Sequence, residues 1–170
     1  MVTAQIIAAE ERDEFGLREY ILNKMFADDA RTNEVCYISF GSRLNTNQTQ
    51  YIYKTNDSHF VPPTLFASPD AIHTDPPMDF LTRFAGRHFT VKPASQYPKP
   101  KDKLVLENNP KTGVPDGLYT VEILEWIDNT TAEVRYSRHR AFTWAAGYEA
   151  IVEKINGTWR IKERKGRWLS

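Results

Sequence analysis

The chain has 170 residues, of which 41% are apolar and 26% are charged. These values are ordinary for a globular protein, so they exclude wholesale disorder and favour one domain with a substantial core. The 22 basic residues balance the 22 acidic ones, which disfavours a protein dedicated to coating nucleic acid. No apolar run approaches the ~18 residues of a membrane span, and the single cysteine, Cys36, excludes an internal disulfide.

The first predicted element is a helix over residues 4–26. Asp13 is a candidate N-cap for its stronger second part, and Gly16 is a candidate bend. A short buried strand is predicted over residues 34–40, where Cys36 is interpreted as a small buried hydrophobe rather than a nucleophile. The helix has one apolar stripe at three- and four-residue spacing, formed by Leu17, Ile21, Leu22, Met25 and Phe26.

The middle of the chain contains a second, shorter predicted helix over residues 76–85. Residues 42–63 before it are polar and turn-rich around one strand candidate, TQYIYKT. Asp75 precedes two prolines and is expected to cap the helix, since proline is tolerated in the first turn. Gly86 is expected to end it. Its apolar stripe consists of Phe80, Leu81 and Phe84.

The region 103–169 is predicted to be an antiparallel meander, because its segments are rich in β-branched and aromatic residues. Asn156-Gly157 is a strong signal for a two-residue hairpin turn. This turn would pair Val152 with Ile161, Glu153 with Arg160, and Lys154 with Trp159. Strict alternation would then give a core face with Ala150, Val152, Trp159 and Ile161, and an opposite face with Ile151, Glu153, Ile155, Arg160, Lys162 and Arg164.

This order of elements resembles the cystatin-like roll of the nuclear transport factor 2-like superfamily. Many members end with an apolar strand, Asn-Gly or Asp-Gly, a Trp and a closing Trp, and Gly157, Trp159, Ile161 and Trp168 match that pattern. The stretch DPPMDFLTRF…VKPAS is also similar to a region of uncharacterised bacterial proteins. The resemblance implies an α+β fold in which the N-terminal helix packs in a curved antiparallel β-sheet, with a conical pocket open at one end. Superfamily members use this pocket for isomerase, dehydratase or cyclase chemistry, or only for binding.

The strand containing RYSRHR carries the candidate ligand site. If its aromatic and basic face lines the pocket, guanidinium groups beside rings suit a carboxylate or phosphate on an apolar body. The alternative is that these arginines only cover a half-exposed sheet with their apolar stems. Alternation places on this face Tyr136, Arg138, Arg140, Phe142 and Trp144.

Two further groups of residues have suitable chemistry but a weaker pattern. His73 and Asp75 form a His-x-Asp pair, yet Asp75 is expected to act as a cap and no second ligand pair is evident, so we predict no metal and no cofactor. Catalytic residues are not assigned, since surface carboxylates and core tyrosines are the favoured interpretation. The side chains suited to acid–base catalysis are Tyr20, Asp79, Tyr119, Glu122 and Glu125.

The last strand combines basic residues with Trp159 and Trp168, a composition that also binds single-stranded nucleic acid. Residues 86–170 carry 15 Lys and Arg against 10 Asp and Glu, whereas residues 1–85 carry 7 against 12. We predict a non-catalytic domain that binds a small amphipathic or anionic ligand, or a protein partner, including a second copy through the sheet. A pocket enzyme of the isomerase, dehydratase or cyclase type is the alternative, and binding of an anionic ligand or nucleic acid through the basic face is the second alternative. Both a cytoplasmic protein and an exported one whose leader is absent fit the sequence.

Overall fold

The computed structural model describes residues 12–43, 71–98, 108–140 and 145–169. Predictions for residues 4–11, for the strand TQYIYKT and for residues 103–107 lie outside these ranges. Within them are helices α1 (Glu14–Asp29) and α2 (Met78–Leu81), 3-10 turns at Thr82–Phe84 and Ala94–Gln96, and strands β1 (Val35–Ser39), β2 (Ser42–Arg43), β3 (Ile72–His73), β4 (Thr90–Pro93), β5 (Gly117–Asp128), β6 (Thr131–His139), β7 (Ala145–Ile155) and β8 (Thr158–Leu169).

The main sheet has six strands in the order β4-β1-β5-β6-β7-β8, which confirms an α+β fold. Strands β5 to β8 form an antiparallel meander. Strand β1, however, pairs in parallel with both β4 and β5, so the sheet is mixed rather than wholly antiparallel. Parallel neighbours require long crossover connections, and the chain provides one through β2, β3 and α2 before it returns to the sheet as β4.

The N-cap residue determines where helix α1 begins. Asp13 Oδ1 accepts a hydrogen bond from the Gly16 amide at 3.0 Å, which confirms Asp13 as the N-cap. Gly16 does not mark a bend in mid-helix but lies in the first turn, where an added Cβ would sit 2.1 Å from Asp13 Oδ2. All five residues of the apolar stripe are buried, as the spacing indicates.

The core lies between α1 and one face of the sheet, which we call the helix face. It contains Cys36, Ile38, Tyr119, Val121, Val134, Ala150, Val152 and Trp159. The α2 region closes one side of this core, because Phe80 packs edge-to-face against both Phe15 and Phe40. The opposite face, here the outer face, has a smaller cluster around Tyr37 and Tyr97. In the described parts of the chain, no helix has the length and apolar character needed to cross a membrane.

The predicted cap of α2 is wrong. The N-cap residue is Pro77 and it makes no side-chain cap bond. Asp75 instead accepts from the Ser95 amide at 2.8 Å, in the 3-10 turn that follows β4. The physical reason is that an N-cap bonds the amides two and three residues later, and one of those positions is Pro77, which has no N–H. Gly86 adopts φ +78° just after the last 3-10 residue, as expected for a terminator.

The hairpin at the end of the chain has the predicted register, with Val152 opposite Ile161 and Lys154 opposite Trp159. Asn156 and Gly157 both have positive φ, as a primed turn requires. Two register shifts follow, between Ile151 and Val152 and between Glu149 and Ala150. Each bulge adds one residue to β8 and changes the alternation of side chains.

Arg164 is therefore misplaced by strict alternation. It pairs with Ala150, and Arg167 pairs with Tyr148, so both arginines lie on the helix face. The prediction that Arg164 shares the outer face with Glu153 and Arg160 is wrong. The bulges thus bring part of the terminal basic run to the same side of the sheet as α1.

Candidate functional site

A cleft of about 280 Å³ opens between the C-terminal turn of α1 and the neighbouring parts of β6, β7 and β8. Small-molecule sites usually have volumes of about 300–1,000 Å³. The cleft lies just below this range, so its size fits only a ligand at the small end. Its lining residues, which define the cleft below, are Lys24, Met25, Asp28 and Asp29 from α1, and Tyr136, Arg138, Ala146, Tyr148 and Arg164 from the sheet.

The floor of the cleft is a pair of stacked tyrosines. Tyr136 of β6 lies directly opposite Tyr148 of β7, and their ring centroids are 5.2 Å apart with an interplanar angle of 24°. The guanidinium carbons of Arg164 and Arg167 lie 5.6 and 5.8 Å from the Tyr148 centroid. These distances permit cation–π contact, so the Tyr148 ring holds Arg164, which lines the cleft, and Arg167 just beyond the lining.

One wall of the cleft is an ion pair. Arg138 forms a salt bridge with Asp29 in the last turn of α1. Negative side chains are disfavoured at a helix C-terminus because the macrodipole is negative there, and Arg138 offsets this. Burial lowers the pKa of Arg138, while Tyr148 and Asp28 act in the opposite direction. Burial also raises the pKa of the Tyr136 hydroxyl.

Other charges of the cleft are not neutralised by the part of the chain that the structure describes. Within residues 12–43, 71–98, 108–140 and 145–169, no hydrogen bond or ion pair joins the side chains of Asp28, Arg164 or Arg167 to another side chain. Each of these three side chains belongs to an exposed residue. Lys24 also lines the cleft, is exposed and has no ion pair in the described residues. The cleft therefore presents two cations of its lining, Lys24 and Arg164, and one anion, Asp28, with Arg167 just beyond the lining.

Arg140, predicted to share the ligand site, has a different environment. Its Nη1 lies 2.7 Å from Oε1 of the fully buried Glu34 and donates to the Pro115 carbonyl at 2.9 Å. Its Nη2 donates to the Tyr119 hydroxyl at 3.2 Å. Burial lowers the pKa of Arg140, but the bond to Glu34 outweighs this and the net shift is upward. Arg140 thus anchors the end of β6 and does not line the cleft.

Tyr136 and Arg138 are the two predicted ligand residues that the structure brings together in the cleft. Phe142 and Trp144 lie outside the described residues. The sequence prediction missed Asp28, Asp29 and Tyr148, and it placed Arg164, part of the basic run considered for anion binding, on the wrong face of the sheet. For Arg164 the available signal was Gly166, because glycine within a strand often accompanies a bulge.

Three basic side chains on the outer face of β6 and β8 are paired with acids. Arg160 lies 2.8 Å from Glu153, and Lys165 lies 2.7 Å from Glu133. Arg135 of β6 contacts Glu149 at 3.0 Å. Because these basic side chains are already paired with acids across the strands, they are less available to bind the phosphates of a nucleic acid.

The residues considered for acid–base chemistry are scattered. Tyr119 is buried in the core, and burial raises the pKa of its hydroxyl. Burial also raises the pKa of Glu122, which lies beside Arg135 at 3.7 Å, away from the cleft. The Tyr20 hydroxyl accepts from the Ile161 amide at 3.2 Å. Asp79 and Glu125 are exposed, so these five side chains do not form one site.

Among the described residues, no group of three or more His, Cys, Asp or Glu side chains lies close enough together to hold a metal ion. His73 Nδ1 is 3.0 Å from Ser39 Oγ instead. Cys36 is fully buried, and burial raises the pKa of its thiol, which makes it a poor nucleophile.

A second, more open groove of about 430 Å³ runs between the α2 region and the edge strand β4. Met78 on its rim is 70% exposed. Its lining is largely apolar and lacks the opposed charges of the cleft.

Comparison of the chain with protein-family models, with curated proteins and with solved structures gives no match.

Proposed function

We propose that this chain binds a small ligand with a negative group and an apolar body in the cleft, without catalysing a reaction. The observation that supports this is the placement of Arg164 and Arg167, which two bulges turn onto the Tyr148 ring. A planar guanidinium held against a ring donates two parallel hydrogen bonds to a carboxylate or phosphate. The two stacked tyrosines and Met25 supply apolar contact for the rest of the ligand.

The choice of binding over catalysis is supported by the position of the acid–base candidates. An isomerase or dehydratase needs a carboxylate or histidine whose pKa is adjusted next to the substrate. Glu122, whose pKa is raised, and Tyr119 both lie away from the cleft. This distribution favours a binding role.

We further propose that the fold is a roll of the nuclear transport factor 2-like kind. In support, α1 lies against one face of a long antiparallel meander, and the cleft opens beside the end of that helix. The last hairpin also has the expected register at Gly157. The parallel pairing of β1 with its two neighbours is the feature to compare when a related structure is solved.

Self-association through the sheet stays a prediction. The 40% exposure of Ile155 favours self-association. The ion pairs of Arg160 and Arg135 on the same face disfavour it, because they make that face more polar than expected. Sedimentation velocity over a concentration series measures it directly: a dimer supports the prediction, and a monomer at all concentrations contradicts it.

The binding proposal is tested by isothermal titration calorimetry with 3-phenylpropionate, an anion on an aromatic body. Arg164→Gln is expected to weaken binding about fivefold, as for an ion pair worth about 1 kcal/mol. The matched control is Arg160→Gln, the same substitution in the same strand on the outer face, and it should leave the affinity unchanged. Equal effects of the two substitutions, or an affinity independent of Arg164, would contradict the proposal.

A further inference from the structure

The cleft contains an acidic group that an anion-binding site does not need. Asp28 lines it from α1, and in the described parts of the chain its carboxylate has no hydrogen-bond or ion-pair partner. The adjacent Asp29, in contrast, is paired with Arg138. A free carboxylate in the same small cleft repels an anionic ligand, so its presence requires an explanation.

Asp28 also lies where its charge is disfavoured. It belongs to the last turn of α1, and that turn contains no basic residue. The negative end of the helix macrodipole therefore adds to the charge of Asp28 and Asp29. Arg138 pairs with Asp29 and also acts electrostatically on Asp28. Lys24 lines the same wall one turn earlier, so the two acids are offset in part. The negative potential that remains at this wall comes from Asp28 and the helix end.

The opposite wall has the reverse sign. Arg164 and Arg167 of β8 lie over the ring of Tyr148 on β7, and the stacked Tyr136 ring lies beside it in the cleft. The field of both walls acts on Tyr136, because Asp28 and Arg164 shift its pKa in opposite directions. One aromatic floor thus connects a positive wall to a negative one.

We infer that the ligand of the cleft is a zwitterion: a small molecule that carries both a carboxylate and an ammonium group on an apolar body, as a free amino acid does. The carboxylate binds Arg164 and Arg167, and the ammonium group binds Asp28. The ring faces of Tyr136 and Tyr148 contact the ammonium through cation–π attraction and the apolar body through van der Waals contact. This inference rests on the proposed function, since it assigns a second charge to the same ligand.

Three probes with one phenyl body separate the charges: phenylalanine is the zwitterion, 3-phenylpropionate the anion alone and phenethylamine the cation alone. Calorimetric titrations of the full chain should give the tightest binding for phenylalanine. The margin over 3-phenylpropionate is expected to be about fivefold, the contribution of one partly exposed ion pair.

The substitution Asp28→Asn gives the sharper test, because it should move two affinities in opposite directions. Binding of phenylalanine should weaken about fivefold, whereas binding of 3-phenylpropionate should tighten as the repelling carboxylate is removed. Asp79→Asn, an exposed acid in the first turn of α2, is the matched control and should change neither affinity. Unchanged circular dichroism of both variants shows that the fold is retained.

The outcomes distinguish the two proposals. If 3-phenylpropionate binds through Arg164 but phenylalanine binds no tighter, or if Asp28→Asn tightens both ligands, the zwitterion inference is overturned and anion binding stands. If 3-phenylpropionate binds without dependence on Arg164, the proposed function fails as well. If none of the three probes binds at millimolar concentration, both proposals are contradicted.

Discussion

The substitution Glu34→Gln tests how the fold is held at the end of β6. Glu34 is fully buried, and its two carboxylate oxygens accept from Arg140, from the Gly117 amide at 3.0 Å and from the Arg31 amide at 2.8 Å. Glutamine has nearly the same shape but no charge. The Arg140 guanidinium, whose side chain is only 13% exposed, would then lie in the interior without a counterion.

The expected loss of stability follows from these contacts. Removing one partner of a buried ion pair costs about 3–5 kcal/mol. Arg140 keeps its bonds to the Pro115 carbonyl and the Tyr119 hydroxyl, so we expect a loss somewhat smaller than that, about 2–4 kcal/mol. With a urea m-value of about 2 kcal/mol per molar, the middle of the usual range, the unfolding midpoint should fall by about 1–2 M.

Urea unfolding followed by circular dichroism measures this shift. The control is Glu153→Gln, which breaks an ion pair with Arg160, a side chain that is 60% exposed; surface pairs contribute about 0–1 kcal/mol. The double variant Glu34→Gln/Arg140→Met should be more stable than Glu34→Gln alone, because the buried uncompensated charge is gone. A loss for Glu34→Gln no larger than that of the control would refute the reasoning.

Three further predictions concern stability. Burial raises the pKa of Asp13, but hydrogen bonds from Lys154 and Trp159 outweigh this and the net shift is downward. The stability that Asp13 contributes is therefore present above the unfolded pKa of ~3.9 and is lost as pH falls through the folded pKa. In chemical unfolding, Asp13→Ala should cost about 1–2 kcal/mol at pH 7 and less at pH 2–3. Burial, with a smaller effect of nearby His73, lowers the pKa of His139 to about 4. As pH falls, His139 is protonated in the unfolded chain before it is protonated in the folded one, so the free energy of unfolding should fall by up to about 3 kcal/mol from pH 6.5 to 4. An identical pH profile for His139→Gln would contradict this. Gly157 has φ +79°, so Gly157→Ala should lower the melting temperature by the equivalent of about 1 kcal/mol, while an equal loss for Gly166→Ala, which meets open space, would refute the turn argument.

Short-range signals predicted the local structure well. The Asn156-Gly157 turn determined which residues pair near it, because a two-residue loop with positive φ allows one register. Asp13 was found as a cap for a similar reason, since a cap acts within one helical turn. At Asp75 the same rule failed because Pro77 removed a required donor.

Longer-range structure could not be obtained in this way. Strand β1 is a continuous apolar run covered on both faces, as parallel strands usually are. A fully buried antiparallel strand has the same pattern, so the sequence could not separate the two pairings. The bulges of β8 changed the face of Arg164, and their positions depend on how β7 and β8 twist together. The partner of Arg140 was missed because Glu34 lies far away in the chain and meets it only in the folded protein.

A two-dimensional amide NMR titration with 3-phenylpropionate tests the central claim most directly, because it locates the ligand as well as detecting it. We predict saturable shifts for the amides of Asp28, Tyr136, Tyr148 and Arg164, at the cleft between α1 and the meander, and almost none along β4. Shifts confined to the groove beside Met78 and β4, or no saturable shifts, would contradict the assignment of the cleft as the binding site.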